Sequence, residues 1–509
     1  MLIPLILIAS TLTAGHGGNG AFGSIQDAIN AASHGDVILI SPGLYVEDLV
    51  IDKSLTLAAT DPGSVVIMPT TSAPGGPAPN LDLGASSTNC LVRANDVTLY
   101  GLVFDGNNPG FPLRADGRNG VVTDYRYGSF DGLEVTRCEI KNYFYTGLAI
   151  VGGVNHAVAQ TSALDIYGNL SGLANGFAFS DSQVELTDIS TTRCATGVRA
   201  NNGAQVNCSE STFMLSMIGF ACKENGADLI WANNRFARCG EGARLEVLHA
   251  DVTISESEFL YCETGITFLG SNGRGYFEDN TFNGLGRANT VGIYTNTEVD
   301  PSYHNYVRGH VSRSNFTNLD WGVVCEEMPG MQGWAIDFQI GGQTDADCND
   351  FVANNLGGIQ LIHCDDNLTA SRNYWALASN NAIEGQILHR SDDSSLGLVN
   401  FTPAVLAPDL GGTNLVADDF AMFTVTGCVA NSPIAFAASF QGSAPLLTRY
   451  GIVQLEMPII RMPTITSDGF GAATNSLWLP LGLTGSKVYV QAYDFTSELL
   501  STLLVGDIL

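Results

Sequence analysis

Residues 183–273 read QVELTDISTTRCATGVRANNGA, QVNCSESTFMLSMIGFACKENGA, DLIWANNRFARCGEGARLEVLHA and DVTISESEFLYCETGITFLGSNG, which are four consecutive copies of one pattern. Each copy carries a glycine just before an alternating apolar segment, at Gly197, Gly219, Gly242 and Gly265, so the repeat is 22 or 23 residues long. A fixed period of about 20–50 residues is typical of stacked repeat architectures. The alternation is strand periodicity, without a helical pattern. The stretch therefore predicts the coils of a parallel β-helix.

The glycine register continues on both sides of this stretch. It recurs at Gly120, Gly147, Gly176, Gly292, Gly322 and Gly358. The outer intervals are longer, and because strands in a solenoid keep their length, the extra residues are predicted to leave as loops, including loops over 299–312 and 328–350. Glycine suits a tight turn, where a Cβ would clash or φ must be positive.

The composition indicates an acidic, turn-rich β protein. The 509 residues include 57 glycines, only 14% charged residues and a net charge of −29, from 22 Lys+Arg against 51 Asp+Glu. Such a length allows a large core and two domains. A field of this sign repels nucleic acid and anionic membrane surfaces, so we expect no nucleic-acid partner. Solubility is the alternative explanation of the charge.

The N-terminus and the cysteines bear on the compartment. MLIPLILIASTLTAG has the length of a signal peptide, so residues 1–21 are predicted to be a signal peptide or a disordered N-terminus. No later segment reaches the length of a membrane span, so we expect no transmembrane anchor. Cys239 and Cys262 are one coil apart, which predicts an internal ladder of small buried side chains.

The first coil is preceded by a short helical pattern. Ser24 is placed to cap the helix, and its apolar face is formed by Ile25, Ala28, Ile29 and Ala32. The strand VILI follows at 37–40. A helix in this position is expected to cover the open end of the coil stack.

SIQDAINAASHGDVILISPGLYVEDLVIDKSLTLAA, at 24–59, resembles the entry segment of the pectin-lyase-like superfamily of right-handed parallel β-helix proteins. Gly35-Asp36, Pro42-Gly43, Tyr45, Glu47 and Lys53 carry the resemblance, which covers roughly residues 22–405. It implies the fold rather than an activity, because the group contains lyases, hydrolases, esterases, epimerases, adhesins and binding proteins. The catalytic motifs of its polygalacturonases, pectin methylesterases and alginate epimerases are missing here, so none of those activities is carried over.

The glycine register is lost after Ala407. Strand-like segments separated by turn residues follow, at 421–429, 433–440, 451–457, 476–481 and 487–495. We therefore predict an all-β protein, with a right-handed parallel β-helix over 22–407 and a small antiparallel β-sandwich over 408–509.

Charged side chains gather on one predicted sheet face. If the residue after each glycine points inward, then Arg199, Lys223, Arg244 and Glu246 point outward within about three coils. The same face continues to Tyr294, Asn296 and Glu326.

A glycan groove is the functional interpretation of this face. Arginine or lysine would bind a uronate carboxylate, or act as a base if its pKa were lowered. Glu246 would be an acid or a cation ligand, and Tyr294 would stack on a sugar ring. The alternative is a solvated sheet face with offsetting charges.

A second acidic group is a candidate metal site. Asp365 and Asp366, together with Glu326 and Glu327, offer the oxygen ligands that Ca²⁺ prefers. The spacing matches no defined calcium loop, so a solvated acidic patch is the alternative.

Taken together, these patterns predict a secreted, monomeric β-helix protein that binds or processes a polysaccharide or cell-surface glycan. An enzyme of this kind would be a polysaccharide lyase or a glycoside hydrolase. The alternative is a non-catalytic, adhesin-like surface solenoid.

Overall fold

The structure is a computed structural model that describes residues 10–15, 20–73, 76, 86–111, 117–166, 174–224, 226, 228–297, 306–328, 335–342, 344 and 347–509. These residues fall into two compact units. The first unit lies within residues 1–280, 293–309 and 330–335, and the second within residues 281–292, 310–329 and 336–509.

The predicted right-handed parallel β-helix is confirmed. A coil contributes one strand to each of three parallel sheets, which we name A, B and C by the strand's place in the coil. In the first unit, sheet A contains Thr11–Ala14, Val37–Ile40, Thr56–Ala59, Thr98–Tyr100, Glu134–Thr136, His156–Ala159, Gln183–Thr187, Gln205–Ser209, Leu229–Ala232, Val252–Ser255 and Arg274–Glu278. Sheet B there contains Gly43–Val46, Val65–Met68, Leu102–Asp105, Glu139–Lys141, Ser162–Ile166, Ser190–Cys194, Thr212–Met214, Arg235–Ala237 and Glu258–Leu260. Sheet C contains Leu49–Ile51, Thr88–Val92, Asn119–Thr123, Thr146–Val151, Asn175–Ser180, Thr196–Asn201, Ile218–Lys223, Glu241–Glu246 and Thr264–Leu269.

The second unit has the same three kinds of strand. Its sheet A strands are Leu368–Thr369 and Val399–Asn400, its sheet B strands are Thr281–Asn283, Asn315–Thr317 and Asp350–Val352, and its sheet C strands are Trp321–Glu326, Gly357–Ile362 and Ile387–Leu388. Three strands have residues in both units: Val291–Asn296, Tyr306–Ser312 and Ala335–Ile340. The last two lie in segments that were predicted to be loops. The second unit also contains the short helix Asn380–Glu384, whereas the 3₁₀ turn Tyr125–Tyr127 belongs to the first unit.

A stack of phenylalanine rings lies inside three successive coils of the first unit. Phe213, Phe236 and Phe259 of sheet B are almost fully buried, and successive ring centroids are 4.8 and 4.7 Å apart. Burying one such side chain stabilises the fold by about 1.5–3 kcal/mol.

The repeated glycines make room for these rings. Gly219 and Gly242 are the second residues of sheet C strands, not turn residues. A Cβ on Gly242 would lie 2.6 Å from the ring of Phe259 and 2.6 Å from the carbonyl oxygen of Gly265. Close approach, rather than a positive φ, is therefore the reason for glycine here. Positive φ falls instead on other residues of the coils, among them Arg193, Leu215, Arg238 and Tyr261, which lie shortly before sheet C strands.

The N-terminal helix, Ile25–Ala31, covers the first coil as predicted. The hydroxyl of Ser24 accepts a hydrogen bond from the Asp27 amide at 3.1 Å. Two charged residues of the entry segment, Glu47 and Lys53, are bonded to this helix. The Glu47 carboxylate accepts from the amides of Ile25 and Gln26, and Lys53 donates to the carbonyl of Ile29 at 3.0 Å. Both helix ends are thus held by charged side chains of the coil beneath.

Part of the predicted signal peptide or disordered N-terminus is a strand. Thr11–Ala14 pairs in parallel with Val37–Ile40 in sheet A. Residues 1–9 and 16–19 lie outside the described residues. The signal peptide itself stays a prediction, as do the domain boundaries at 21 and 407.

Antiparallel strands follow residue 408, as predicted. One sheet contains Asp409–Thr413, Asp419–Thr426 and Ala473–Leu479. The other contains Pro433–Ser439, Ile460–Arg461, Ile465–Thr466, Lys487–Asp494, Leu499–Leu500 and Leu504–Asp507, and a hairpin pairs Leu446–Thr448 with Gly451–Val453. A 3₁₀ turn, Leu481–Leu483, precedes the last long strand. Residues of both sheets, including Phe423 and Phe436, share one buried core.

Within the second unit, this antiparallel part packs on the last coils. The buried Tyr374 hydroxyl donates to the carbonyl of Leu500 at 2.7 Å. Val352, Tyr374, Ala407 and Ile452 form a common buried cluster. Trp375 stacks on Phe351 with a centroid distance of 4.7 Å. These contacts cover apolar coil surface that would otherwise be exposed.

The glycine column gives a direct test of the packing. We expect Gly242→Ala to lower the free energy of unfolding by about 1–3 kcal/mol, because the new methyl group overpacks against Phe259. Chemical denaturation followed by circular dichroism measures the change. Gly23→Ala is the matched control, since a Cβ there meets nothing within 4 Å. Equal stability of the two variants would contradict the proposed reason for the repeat.

Candidate functional site

The outer face of sheet C is set by strand alternation. Val198, Phe220, Ala243 and Ile266 are fully buried, so the residue after each of them points outward. Parallel register then places two outward columns side by side. Arg199, Ala221, Arg244 and Thr267 form one column, and Asn201, Lys223, Glu246 and Leu269 form the other.

A groove of about 1160 Å³ lies over these columns, entirely within the first unit. Five of the predicted site residues line it: Lys223, Arg244, Glu246, Tyr294 and Asn296. The remaining lining residues are Leu215, Ser216, Met217, Ile218, Arg238, Gly240, Glu241, Glu263, Thr264, Thr267 and Leu269. The groove therefore combines three cations and three carboxylates with apolar side chains.

Arg244 is the centre of an ion-pair network on the groove floor. Its Nε and Nη2 lie 2.6 and 2.5 Å from Oε1 of Glu246, and its Nη1 lies 2.8 Å from Oε1 of Glu241. All three side chains are only partly exposed, between 17% and 33%. Such charge-assisted bonds hold the guanidinium in one orientation.

This network overturns one predicted role of Arg244. Burial by itself lowers the pKa of Arg244, but Glu241 and Glu246 outweigh it, so that the pKa is raised above its ordinary value. Arg244 is therefore a permanent cation and not a base. Its guanidinium group donates to the carboxylates of Glu241 and Glu246, so Arg244 fixes the shape and the charge of the groove floor.

Lys223 offers the more available positive charge. Its side chain is 45% exposed, and its Nζ lies 3.8 Å from Glu224 and 3.9 Å from Glu246. These distances exceed a normal hydrogen bond. The ammonium group is thus held near the groove by weak ion pairs and can donate to a ligand.

Tyr294 and Asn296 come from a strand further along the chain. The amide of Asn296 donates to the Tyr294 hydroxyl at 2.8 Å, and Asn296 is 7% exposed. The pair forms a polar, orientated part of the groove wall.

The structure does not bring all the predicted residues into this groove. Arg199 lines an adjoining depression of about 200 Å³, which also contains Lys223, Arg244 and Glu246. Glu326 belongs to the second unit and is not among the groove's lining residues.

Sequence reasoning missed Glu241, Arg238 and Glu263. Glu241 precedes Gly242 and also points outward, whereas the prediction counted only residues that follow the glycine. Strict alternation would place Glu241 on the same side as the buried Ala243, so spacing alone could not identify it.

Three members of the predicted acidic group lie together, and Glu326 is not among them. Carboxylate oxygens of Glu327, Asp365 and Asp366 lie within 4.8 Å of one another. Glu327 is only 9% exposed, and burial, followed by the Asp366 carboxyl, raises its pKa to about 7. The Cys364 thiol donates to Glu327 at 3.5 Å, and Asp366 accepts from the Ile336 amide at 2.7 Å.

Comparisons with known proteins give partial similarities. No family model matches the sequence. A cell surface glycoprotein of Methanothermus fervidus is 27% identical over 134 residues, which are 26% of this chain and 18% of that protein. The chain thus matches less than a fifth of that relative's length.

Two solved structures are similar in outline. The A-module of an Azotobacter vinelandii mannuronan C-5 epimerase is 14% identical, with 75% of this chain and 93% of that chain covered and a TM-score of 0.43. An alginate lyase of polysaccharide lyase family 6 is 12% identical, with 77% of this chain and 57% of that chain covered and a TM-score of 0.44.

Neither helix among the described residues has the length and hydropathy of a membrane span. The three all-parallel sheets of the chain itself confirm the right-handed parallel β-helix fold that the sequence predicted.

Proposed function

We propose that the groove on sheet C binds a chain of an acidic polysaccharide. The observation that carries this proposal is the groove floor, where Arg244 is locked between two glutamates beside the more exposed Lys223. In a protein of net charge −29, a groove with as many cations as carboxylates repels an anionic sugar less than the acidic surface around it does. Lys223 would donate to the uronate carboxylate.

The groove also suits the rest of a sugar chain. Tyr294 offers an aromatic ring with a polar tip, and Asn296 holds that tip in place. Thr264 and Thr267 supply hydroxyl groups, while Leu215 and Met217 form an apolar rim that is 44% and 62% exposed. Polar donors and apolar patches together match the two kinds of surface that a sugar ring presents.

The location that fits this function is outside the cytoplasm. A partial similarity to a protein named as a cell surface glycoprotein supports that location. The monomeric state predicted from the sequence is part of the same proposal.

Lys223→Ala tests the groove. We expect this variant to weaken binding to a uronate polymer about tenfold, because one charge-assisted hydrogen bond is lost. Titration calorimetry against polygalacturonate, alginate and a neutral glucan measures the affinity. Arg235→Ala is the matched control, because Arg235 is 57% exposed and lies on sheet B, 3.6 Å from Glu258. Equal loss in both variants, or none in either, would contradict the assignment.

An assay for reaction products distinguishes a groove that processes its glycan from one that only binds it. If the groove processes its glycan, wild-type protein releases new reducing or unsaturated ends, and Glu246→Gln or Glu241→Gln abolishes the release while Arg235→Ala keeps it. The expected carriers are the two glutamates that flank Arg244. Binding without any product would assign the alternative, a non-catalytic, adhesin-like role.

We further propose that Glu327, Asp365 and Asp366 hold a Ca²⁺ ion. Three carboxylates within 4.8 Å repel one another unless a cation or a shared proton compensates. Oxygen ligands of this type are those that calcium prefers. In this role the ion would tie the chain after a sheet C strand to the loop at 365–366.

Calcium is expected to stabilise the protein. At about a hundredfold excess over Kd, the free energy of unfolding should rise by about 2.7 kcal/mol. Thermal unfolding with calcium and with a chelator measures the effect. Glu327→Gln should remove it, whereas Glu498→Gln, at an exposed position, should keep it. If calcium has no effect and Glu327→Gln is stabilising, a shared proton holds the cluster instead.

A further inference from the structure

The antiparallel part of the second unit contains a separate cavity, and the strand Pro433–Ser439 forms its floor. Along this strand Ile434, Phe436 and Ala438 point into the core and are fully buried. The alternate residues, Ala435 and Ala437, point to the opposite face. Alanine fills little space, so the middle of this face is a depression.

Larger side chains surround the two alanines. Ala435 pairs with Tyr493, and Ala437 pairs with Gln491 on one side and with Arg461 on the other. The turn of the hairpin adds Arg449 and Tyr450. The cavity between them measures about 460 Å³. This lies within the range of about 300–1,000 Å³ that is usual for small-ligand sites.

Three aromatic rings form one wall of the cavity. Tyr450 and Tyr493 have a centroid distance of 4.8 Å, and Phe495 meets Tyr493 edge-on at 5.1 Å. The three rings fix one another, and Phe495 remains 41% exposed. The wall is therefore a rigid apolar surface that is open to solvent.

The charge at the cavity is opposite to that of its surroundings. Residues 408–509 contain eight Asp and Glu but only three Lys and Arg: Arg449, Arg461 and Lys487. Both arginines line the cavity, and no Asp or Glu does. Among the residues that the structure describes, neither arginine has a carboxylate in salt-bridge range, whereas Lys487 lies 3.7 Å from Asp507.

The two guanidinium groups are placed differently. Arg449 donates to the Tyr450 hydroxyl, and its Cζ lies 4.5 Å from the centroid of that ring. Arg461 is exposed at the end of the edge strand Ile460–Arg461. One cation is thus held against the aromatic wall, and the other borders the alanine floor.

We propose that this cavity binds a carboxylate-bearing sugar, a uronic acid residue of an oligosaccharide. A guanidinium group binds a carboxylate through two parallel hydrogen bonds, and an aromatic wall suits the apolar face of a sugar ring. The site shares its ligand class with the proposed groove on sheet C but none of its residues.

The alternatives fit the cavity less well. A purely apolar ligand would remove from water two guanidinium charges that no carboxylate compensates, which is costly. A nucleic acid needs a wide basic surface, and the rest of this region is acidic. An anion that has an apolar face satisfies both the arginines and the rings.

The test is calorimetric titration of the full chain with trigalacturonate, using maltotriose as the neutral probe. Arg461→Gln and Arg449→Gln should each weaken binding of trigalacturonate at this site about tenfold. Ala437→Leu should abolish binding here, because the larger side chain fills the floor. Lys487→Gln, which removes the third cation of the region, should leave the affinity unchanged.

To distinguish binding at the cavity from binding at the groove on sheet C, the titrations are carried out in Lys223→Ala protein as well as in wild type. A uronate site that persists in Lys223→Ala and is lost in Ala437→Leu supports the cavity, whatever the groove binds. Unchanged affinity in the two arginine variants and in Ala437→Leu would overturn the proposal. Equal binding of maltotriose would overturn it too, since no carboxylate would then be required.

Discussion

The close packing of a glycine column against a phenylalanine stack is the constraint on which the rest of the structure depends. A Cβ on Gly219 would lie 2.8 Å from the ring of Phe236, and one on Gly242 would lie 2.6 Å from that of Phe259. Sheets B and C therefore approach as closely as a bare backbone allows. Because this contact recurs at Gly197, Gly219 and Gly242, the register of sheet C is fixed there, and its outward side chains are held in columns.

Those columns explain how an acidic protein can present cations at one place. Arg244 is partly buried and compensated by Glu241 and Glu246, so its charge is retained while each of its three nitrogens contacts a carboxylate oxygen. Lys223, one strand earlier, keeps an exposed ammonium group. The groove is thus a rigid arrangement of charges in which one cation fixes the floor and another faces the solvent. The cavity lined by Arg449 and Arg461 also presents cations in an acidic region. Its small floor residues leave space for a ligand, and the flanking arginines and aromatic rings supply the groups that would contact it.

The repeat predicted the fold and the outer face of sheet C because both depend on local spacing alone. The helix cap at Ser24 was predicted for the same reason. The strands Tyr306–Ser312 and Ala335–Ile340 were missed because they belong to sheet A, whose strands carry no glycine marker. The ion pairs of Arg244 could not be read from spacing, since they depend on side-chain conformation. The cavity beside Ala437 could not be predicted from the sequence, because its walls come from antiparallel strands that are far apart in the chain.

The central claim is that the outer face of sheet C is a surface for an acidic glycan. A crystal structure of the protein with the uronate oligosaccharide that binds it most tightly tests this most directly. We predict a sugar carboxylate within hydrogen-bonding distance of the Lys223 ammonium group, and a sugar ring near Tyr294. An oligosaccharide bound only at another surface, with Lys223 and Arg244 untouched, would contradict the account.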